Sequence, residues 1–308
     1  MPVHCKSSHD VSTTLLNPMV FYKRFQHISE KIFEKLNIKS LESSRQVSKS
    51  WLECIDNQNI LWNKIAIKED CNTVFQFACK KGHIKMAKVL VQKSVDFKID
   101  LNVDDEYGKT PFHYICELGH INIAEIFVQK STALNIKLNL IEKDGKTPFH
   151  YACEHGNSEI AEILVQRSTE FIIDLNVIDG SGKTAFHYAC MNGHLKISEI
   201  LVQRSVQFKI NLNAEDSFTG KTAFHYACEY GYFKIAEIFV QKSTEFNINL
   251  NVKDYDGKTA FHYACERGNF KIVEALVQKS AEFKIWLNAK DYSGKTAFHL
   301  ACTRVYSC

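Results

Sequence analysis

A nine-residue motif limits what this chain can fold into, because it returns at a fixed interval. Residues 220–228 read GKTAFHYAC. Near-copies begin at Gly108, Gly145, Gly182, Gly257 and Gly294, so that with Gly220 the spacings are 37, 37, 38, 37 and 37 residues. A worn copy lies upstream, where Thr73 falls 37 residues before Thr110 and Cys79 falls 37 before Cys116. Self-similarity at a period of roughly 20–50 residues marks a stacked-repeat protein, in which no unit buries its apolar face alone. Residues 71–308 are therefore one supersecondary unit reused: six repeats of about 37 residues and a C-terminal half repeat, in which Val305 stands where Gly268 does one period earlier.

The residues of one unit predict two helices. Thr222 suits an N-cap, since its hydroxyl can accept from the free N–H groups of the first turn. In two copies the next residue is Pro111 or Pro148, which costs nothing at a first helical position. A short helix then runs through Tyr226-Ala227-Cys228, and Gly231 ends it. The second helix runs from Phe233 to about Lys242, with Ile235, Ile238 and Phe239 on one face. The connection STEFNINLNVKDYD follows and ends in an acidic turn.

This helix–turn–helix with a projecting turn resembles the ankyrin repeat. The Thr-Pro-Leu-His signature of that family stands as Thr110-Pro111-Phe112-His113 and Thr147-Pro148-Phe149-His150, and as Thr-Ala-Phe-His at Thr184, Thr222, Thr259 and Thr296. Its Gly-His pair stands as Gly82-His83, Gly119-His120 and Gly193-His194. The resemblance implies an all-α fold, an ankyrin-repeat α-solenoid. Two features depart from the family. The period is 37 rather than about 33, and the glycine that closes the second helix is Ser131, Ser168, Ser205, Ser243 or Ser280. Four residues make about one helical turn, so the second helix runs a turn longer, with Phe208 or Phe246 capping it, or the hairpin loop is longer.

Ahead of the array, residues 1–20 are polar and expected to be disordered. Residues 21–66 form a different module. Ile28, Ile32, Phe33 and Leu36 share a helical face, and Leu41, Val47 and Trp51 continue a second apolar pattern. So short a segment has little interior in which to bury Trp51 and Trp62. Its order, Ile32-Phe33, Leu36, Leu41, Val47-Ser48, Trp51 and Leu61-Trp62, resembles the F-box, a small three-helix module. Arg24-Phe25 stand where that family has Leu-Pro. The resemblance implies docking on an Skp adaptor through Ile28, Ile32, Phe33, Leu36, Leu41, Val47 and Trp51, although the same side chains could form the module's core.

Other chemistries fit poorly. Hydrophobic residues make up 45% of the chain and charged residues 24%, an ordinary folded composition, and a net charge of +3 does not argue for nucleic acid. No apolar run approaches the roughly 18–20 residues a membrane span needs, and the first residues lack a signal-peptide layout. Of eleven cysteines, seven (Cys79, Cys116, Cys153, Cys190, Cys228, Cys265 and Cys302) take one position per unit, unlike a disulfide framework. They read as reduced thiols of a cytoplasmic or nuclear protein. Gly180-Ser181-Gly182-Lys183-Thr184 imitates a phosphate loop, but Val177 stands where its first glycine is required. His113 and Cys116 are three apart on a helix and could ligate zinc, as could their repeats. Successive pairs lie about 10 Å apart in a stack, too far to converge on one ion. Six equivalent histidine–cysteine pairs do not make one shielded catalytic site. No enzyme, metal or cofactor is expected.

What remains is a surface. A stacked array presents an extended face, expected to carry Tyr114, Tyr151, Tyr188, Tyr226 and Tyr263 after each histidine. Leu118, His155, Met191, Tyr230 and Arg267 are expected beside them, before each glycine. Acidic turn tips (Asp104-Asp105-Glu106, Glu142, Asp144, Asp179, Glu215-Asp216, Asp254, Asp256 and Asp291) would steer a basic partner. The alternative is that the tyrosines pack between repeats and the acids only solvate turns. Lys130, Arg167, Arg204, Lys242 and Lys279 place positive charge on the second helices. An F-box followed by a recognition array resembles the substrate receptor of a cullin–RING ubiquitin ligase. That implies Skp and cullin as partners, an unidentified and basic protein substrate, and no chemistry in the chain itself. The alternative function is an ankyrin scaffold whose N-terminal helices cap the stack.

Overall fold

Each copy of the motif starts a helix in the computed structural model, which describes residues 71–305. The first helices of successive units are α1 (Cys71–Lys81), α3 (Pro111–Leu118), α5 (Pro148–Glu154), α7 (Ala185–Met191), α9 (Ala223–Tyr230), α11 (Ala260–Arg267) and α14 (Ala297–Val305). The second helices are α2 (Ile84–Gln92), α4 (Ile121–Leu134), α6 (Ser158–Gln166), α8 (Leu195–Phe208), α10 (Phe233–Lys242) and α12 (Phe270–Gln278), the last followed by the single turn α13 (Ser280–Phe283). First helices from α3 onward pack side by side, second helices form a parallel row, and the pairs from α3–α4 to α11–α12 each close on themselves. Among the described residues there are two isolated bridges, Glu215 with Thr222 and Lys290 with Thr296, and no strand.

The core repeats with the sequence. Phe112, Phe149, Phe186, Phe224 and Phe261 enter from the first helices, and Ile123, Ile160, Ile197, Ile235 and Ile272 from the second. Phe127 stacks on Phe112 at 5.6 Å, and Phe239 lies 5.6 Å from Phe186 and 5.2 Å from Phe224, so one ring locks two units. Ala152, Ala189, Ala227 and Ala264 are fully buried where first helices approach each other. Phe298 is 74% exposed, because among the described residues no second helix follows to cover it.

The extra four residues of each unit add one more turn beyond the second helix. Ser131 and Ser205 lie inside a continuous helix, whereas in the other units the regular helix ends just before the serine. Each serine turns its hydroxyl back to the carbonyl three residues earlier, at 2.7–2.9 Å, and the chain continues for one more turn. It ends at Lys98, Asn135, Ile172, Lys209, Asn247 and Lys284, all left-handed with φ of 52–53°. The next N–H then returns to the serine carbonyl, as from Ile136 to Ser131 at 2.9 Å. Units α4 and α8 carry the turn as regular helix to Leu134 and Phe208.

An asparagine ladder follows this cap. Asn102, Asn139, Asn176, Asn213 and Asn251 each donate their side-chain amide to the carbonyl of the left-handed residue one unit on, at 2.9–3.1 Å. Asn102, Asn176, Asn213 and Asn251 also accept the N–H two residues beyond it, at 2.7–2.8 Å. The ladder spans 33 residues except from Asn213 to Asn247, where it spans 34. The single 38-residue period therefore places its additional residue between Asn213 and Lys221, in a projecting turn.

Candidate protein-interaction surface

The motif residues have two jobs, capping their own helix and joining the next unit. Thr110 caps α3: its N–H donates to Nδ1 of His113 at 3.0 Å, and the hydroxyl lies 2.9 Å from the same nitrogen. The box recurs at Thr147, Thr184, Thr222 and Thr259. With Nδ1 accepting, the ring proton sits on Nε2. It points to the carbonyl of the next unit's lysine: His113 to Lys146 at 3.3 Å, and His150 to Lys183, His187 to Lys221 and His225 to Lys258 at 3.2 Å. Burial holds His113, His187 and His225 down to about 4, well below an ordinary imidazole. The cysteine of each pair does different work. Cys79, Cys116, Cys153, Cys190 and Cys228 are buried free thiols, and burial pushes Cys190 up to about 12.

The tyrosines belong to the same internal network, which corrects their expected role as an exposed contact surface. Tyr151, Tyr188, Tyr226 and Tyr263 are only 5–7% exposed, and Tyr114 is half-buried. Tyr151, Tyr188, Tyr226 and Tyr263 each stand edge-on to the histidine of the unit before, as Tyr151 does to His113 at 5.9 Å and Tyr263 to His225 at 6.0 Å. A lysine ammonium lies over the ring: Lys109 over Tyr151 and Lys221 over Tyr263 at 4.1 Å, Lys146 over Tyr188 at 4.3 Å. The hydroxyls of Tyr114, Tyr188 and Tyr263 donate to Asp105, Asp179 and Asp254 at 2.5 Å, and that of Tyr226 to Asp216 at 3.0 Å.

Those aspartates are turn keystones. Asp179 accepts the N–H groups of Ser181 and Lys183, and Asp291 those of Ser293 and Lys295, at 2.8–2.9 Å. Glu142 does the same for Asp144 and Lys146. Burial alone would raise Asp105, Asp179 and Asp216, but their tyrosine, hydroxyl and turn N–H donors hold all three below an ordinary carboxylate. Asp105, Glu142, Asp179, Asp216, Asp254 and Asp291 thus point inward. The acidic ridge expected to attract a basic partner shrinks to Asp104, Glu106, Asp144, Glu215 and Asp256. Of the basic residues expected on the second helices, Arg167, Lys242 and Lys279 are locally balanced by Glu170, Glu245 and Glu282 at i,i+3, while Arg204 donates to the neutral Gln207.

The free surface lies where the repeats differ. Leu118 and Tyr230, before the first-helix glycines, are 50% and 52% exposed. His155 and Arg267 are exposed and Met191 is half-buried. Arg267 reaches back to Glu229 of the previous unit at 2.7 Å. At the turn tips, Phe218, Tyr255 and Tyr292 form an exposed aromatic row two residues before the repeat glycine, where earlier units have Glu106, Lys143 and Gly180. Periodic reading passed over this row because it is confined to the last units. Ile28, Ile32, Phe33, Leu36, Leu41, Val47 and Trp51 lie outside the described residues.

Capped helix pairs, main-chain links from unit to unit and variable side chains on one face define a protein of the helical-repeat recognition class. Family comparison agrees. The model of ankyrin repeats (3 copies) matches overlapping segments from residue 54 to residue 307, and an F-box domain model matches residues 26–63. The chain belongs to the ankyrin-repeat family, with an F-box domain ahead of the array. Among solved structures it is similar to the ankyrin repeat domain of Bcl-3, a member of the IkappaB protein family. That likeness has a TM-score of 0.62 at 22% identity, over 76% of this chain and 95% of that one, and speaks for the fold alone. No curated protein matches the chain. Its two families are interaction modules, and no helix among the described residues is long and apolar enough to cross a membrane.

Proposed function

We propose that this protein is a non-enzymatic substrate receptor of an SCF-type cullin–RING ubiquitin ligase. Residues 21–66 dock an Skp adaptor and through it a cullin, and the ankyrin array of residues 71–308 holds the protein to be ubiquitinated. The observation that carries the reading is the F-box match at residues 26–63, directly ahead of a recognition array. A receptor of this kind does no chemistry; it raises the effective concentration of its cargo at the ligase. Ile28, Ile32, Phe33, Leu36, Leu41, Val47 and Trp51 are the adaptor contacts in this reading. Leu118, His155, Met191, Tyr230 and Arg267 face the cargo. The buried free thiols suit a reducing compartment, the cytoplasm or the nucleus.

One feature favours a plain ankyrin scaffold instead: Arg24-Phe25 replace the Leu-Pro of the F-box. Capture of tagged full-length protein from cells, probed for Skp and cullin, separates the two. The receptor recovers both, and a Phe33→Ala, Leu36→Ala double variant loses them while the array keeps its helical circular dichroism. Recovery of neither partner from cells that express both sinks the ligase reading. Unfolding of the array in the double variant makes the module a cap.

A further inference from the structure

Of the six motif lysines, four pair with a glutamate; among the described residues Lys183, inside the stack, and Lys295, in the terminal half unit, do not. Lys109–Glu117 and Lys258–Glu266 meet at 2.9 Å, and Lys146–Glu154 and Lys221–Glu229 at 2.7 Å. In each pair the glutamate stands eight residues after the lysine. Eight residues after Lys183 stands Met191. Lys183 keeps the rest of the frame. Its N–H donates to Asp179 at 2.9 Å, its carbonyl accepts from His150 at 3.2 Å, and its ammonium lies 5.8 Å from the Tyr226 ring centroid. Among the described residues no carboxylate lies within ion-pair distance of that ammonium.

The neighbouring acids are already committed. Asp179 takes the Tyr188 hydroxyl, Ser181 and the turn N–H groups. Glu154 belongs to Lys146, and Glu229 to Lys221 and Arg267. The paired lysines are only 14–19% exposed, so this is a partly dehydrated place for a cation. An ammonium there gains more from a carboxylate than one in open water, and is costlier to leave alone.

We propose that Lys183 is where the array takes an acidic side chain of its bound protein. The ligand chemistry is a glutamate or aspartate carboxylate, which occupies the position that Glu117, Glu154, Glu229 and Glu266 fill in the other units, with its methylene stem over Met191. The four internal pairs are the template for the contact. Recognition is therefore of an acidic segment, opposite in sign to what the turn tips suggested. The inference rests on the reading that the array, rather than the F-box module, holds the cargo.

The test uses the full chain and a phage-displayed library of random peptides, with the Met191→Glu variant as counterpart. Met191→Glu supplies the missing carboxylate from within, as four other units do, so it folds and closes the site. Expected is enrichment of peptides carrying Glu or Asp, whose synthetic copies lose about tenfold in affinity when that residue becomes Gln. The same loss is expected on Met191→Glu and on Lys183→Gln. Enrichment of neutral or basic peptides, no enrichment, or equal binding of the acidic peptides by Met191→Glu would overturn the assignment. So would a phosphoserine peptide that binds where its glutamate copy does not. Failure here with adaptor capture intact refutes the lysine site and leaves the ligase reading standing. Peptide binding without adaptor capture does the reverse.

Discussion

Ile172 should be the least suitable residue in its position, and replacing it should stabilise the protein. Each unit ends its added turn on a left-handed residue, and five of the six are Lys or Asn. Ile172 has φ of 52°, where its branched Cβ crowds its own backbone. An L-residue pays roughly 1–2 kcal/mol for this conformation, and asparagine considerably less. Little offsets the penalty, since Ile172 is 84% exposed and truncating it forfeits almost no burial. Its one evident contact is through the backbone: its carbonyl accepts from Asn139 at 3.1 Å, which any side chain preserves. Ile172→Asn should therefore stabilise by about 1 kcal/mol, or raise the melting temperature by roughly 2–4 °C for a unit of this size. Asn135→Ile, the reverse change one unit earlier, should cost a similar amount. Urea unfolding of the full chain followed by circular dichroism measures both. An unchanged or lowered midpoint for Ile172→Asn would refute the argument, because it would mean that the helix end is not held left-handed at that residue.

Two further outcomes follow from the internal network. The array should unfold in acid between pH 6.5 and 4. Burial lowers His113, His187 and His225 from 6.5 to about 4, so each favours the folded state while neutral, above 6.5, and loses that contribution as pH falls toward 4. The loss reaches roughly 3 kcal/mol per histidine, and native circular dichroism persisting at pH 4 would refute it. Asn213→Ala should cost roughly 1–2 kcal/mol by removing one bond to the Asn247 carbonyl and one from the Asn249 N–H. Hydrogen exchange at Asn249 should accelerate in that variant, and unaltered protection there would show that the ladder carries no stability.

How far the residues foretold the structure depends on the reach of each interaction. Thr222, Gly231 and the helix from Phe233 to Lys242 were legible because capping is local, decided within three or four residues. The tyrosines were harder. Tyr188 is set by Asp179 nine residues upstream, by Lys146 and by His150 of the previous unit, and helical periodicity shows none of these. The signal was nonetheless present, since an acidic residue stands nine before Tyr114, Tyr151, Tyr188 and Tyr263 and ten before Tyr226. The asparagine ladder was visible as a Leu-Asn pair in every unit, but its partners are backbone atoms, which leave no mark on side-chain pattern. Lys183 escaped notice for the opposite reason. A search for what repeats finds the scaffold, and Met191 matters because it breaks the repeat.

The additional residue between Asn213 and Lys221 has a wider consequence. Asp216 gathers the N–H groups of Phe218, Thr219 and Lys221, and the longer turn closes without disturbing the helices on either side. His187 still reaches the Lys221 carbonyl, one residue further along the chain. Chain length is thus uncoupled from stacking at the turn tips, whereas an insertion within a helix would rotate an apolar face out of the core. The tips are the part of this molecule that can be lengthened, shortened or exchanged while the stack stays intact. A lineage of such chains can change what it recognises one turn at a time, without having to solve the folding of the array again.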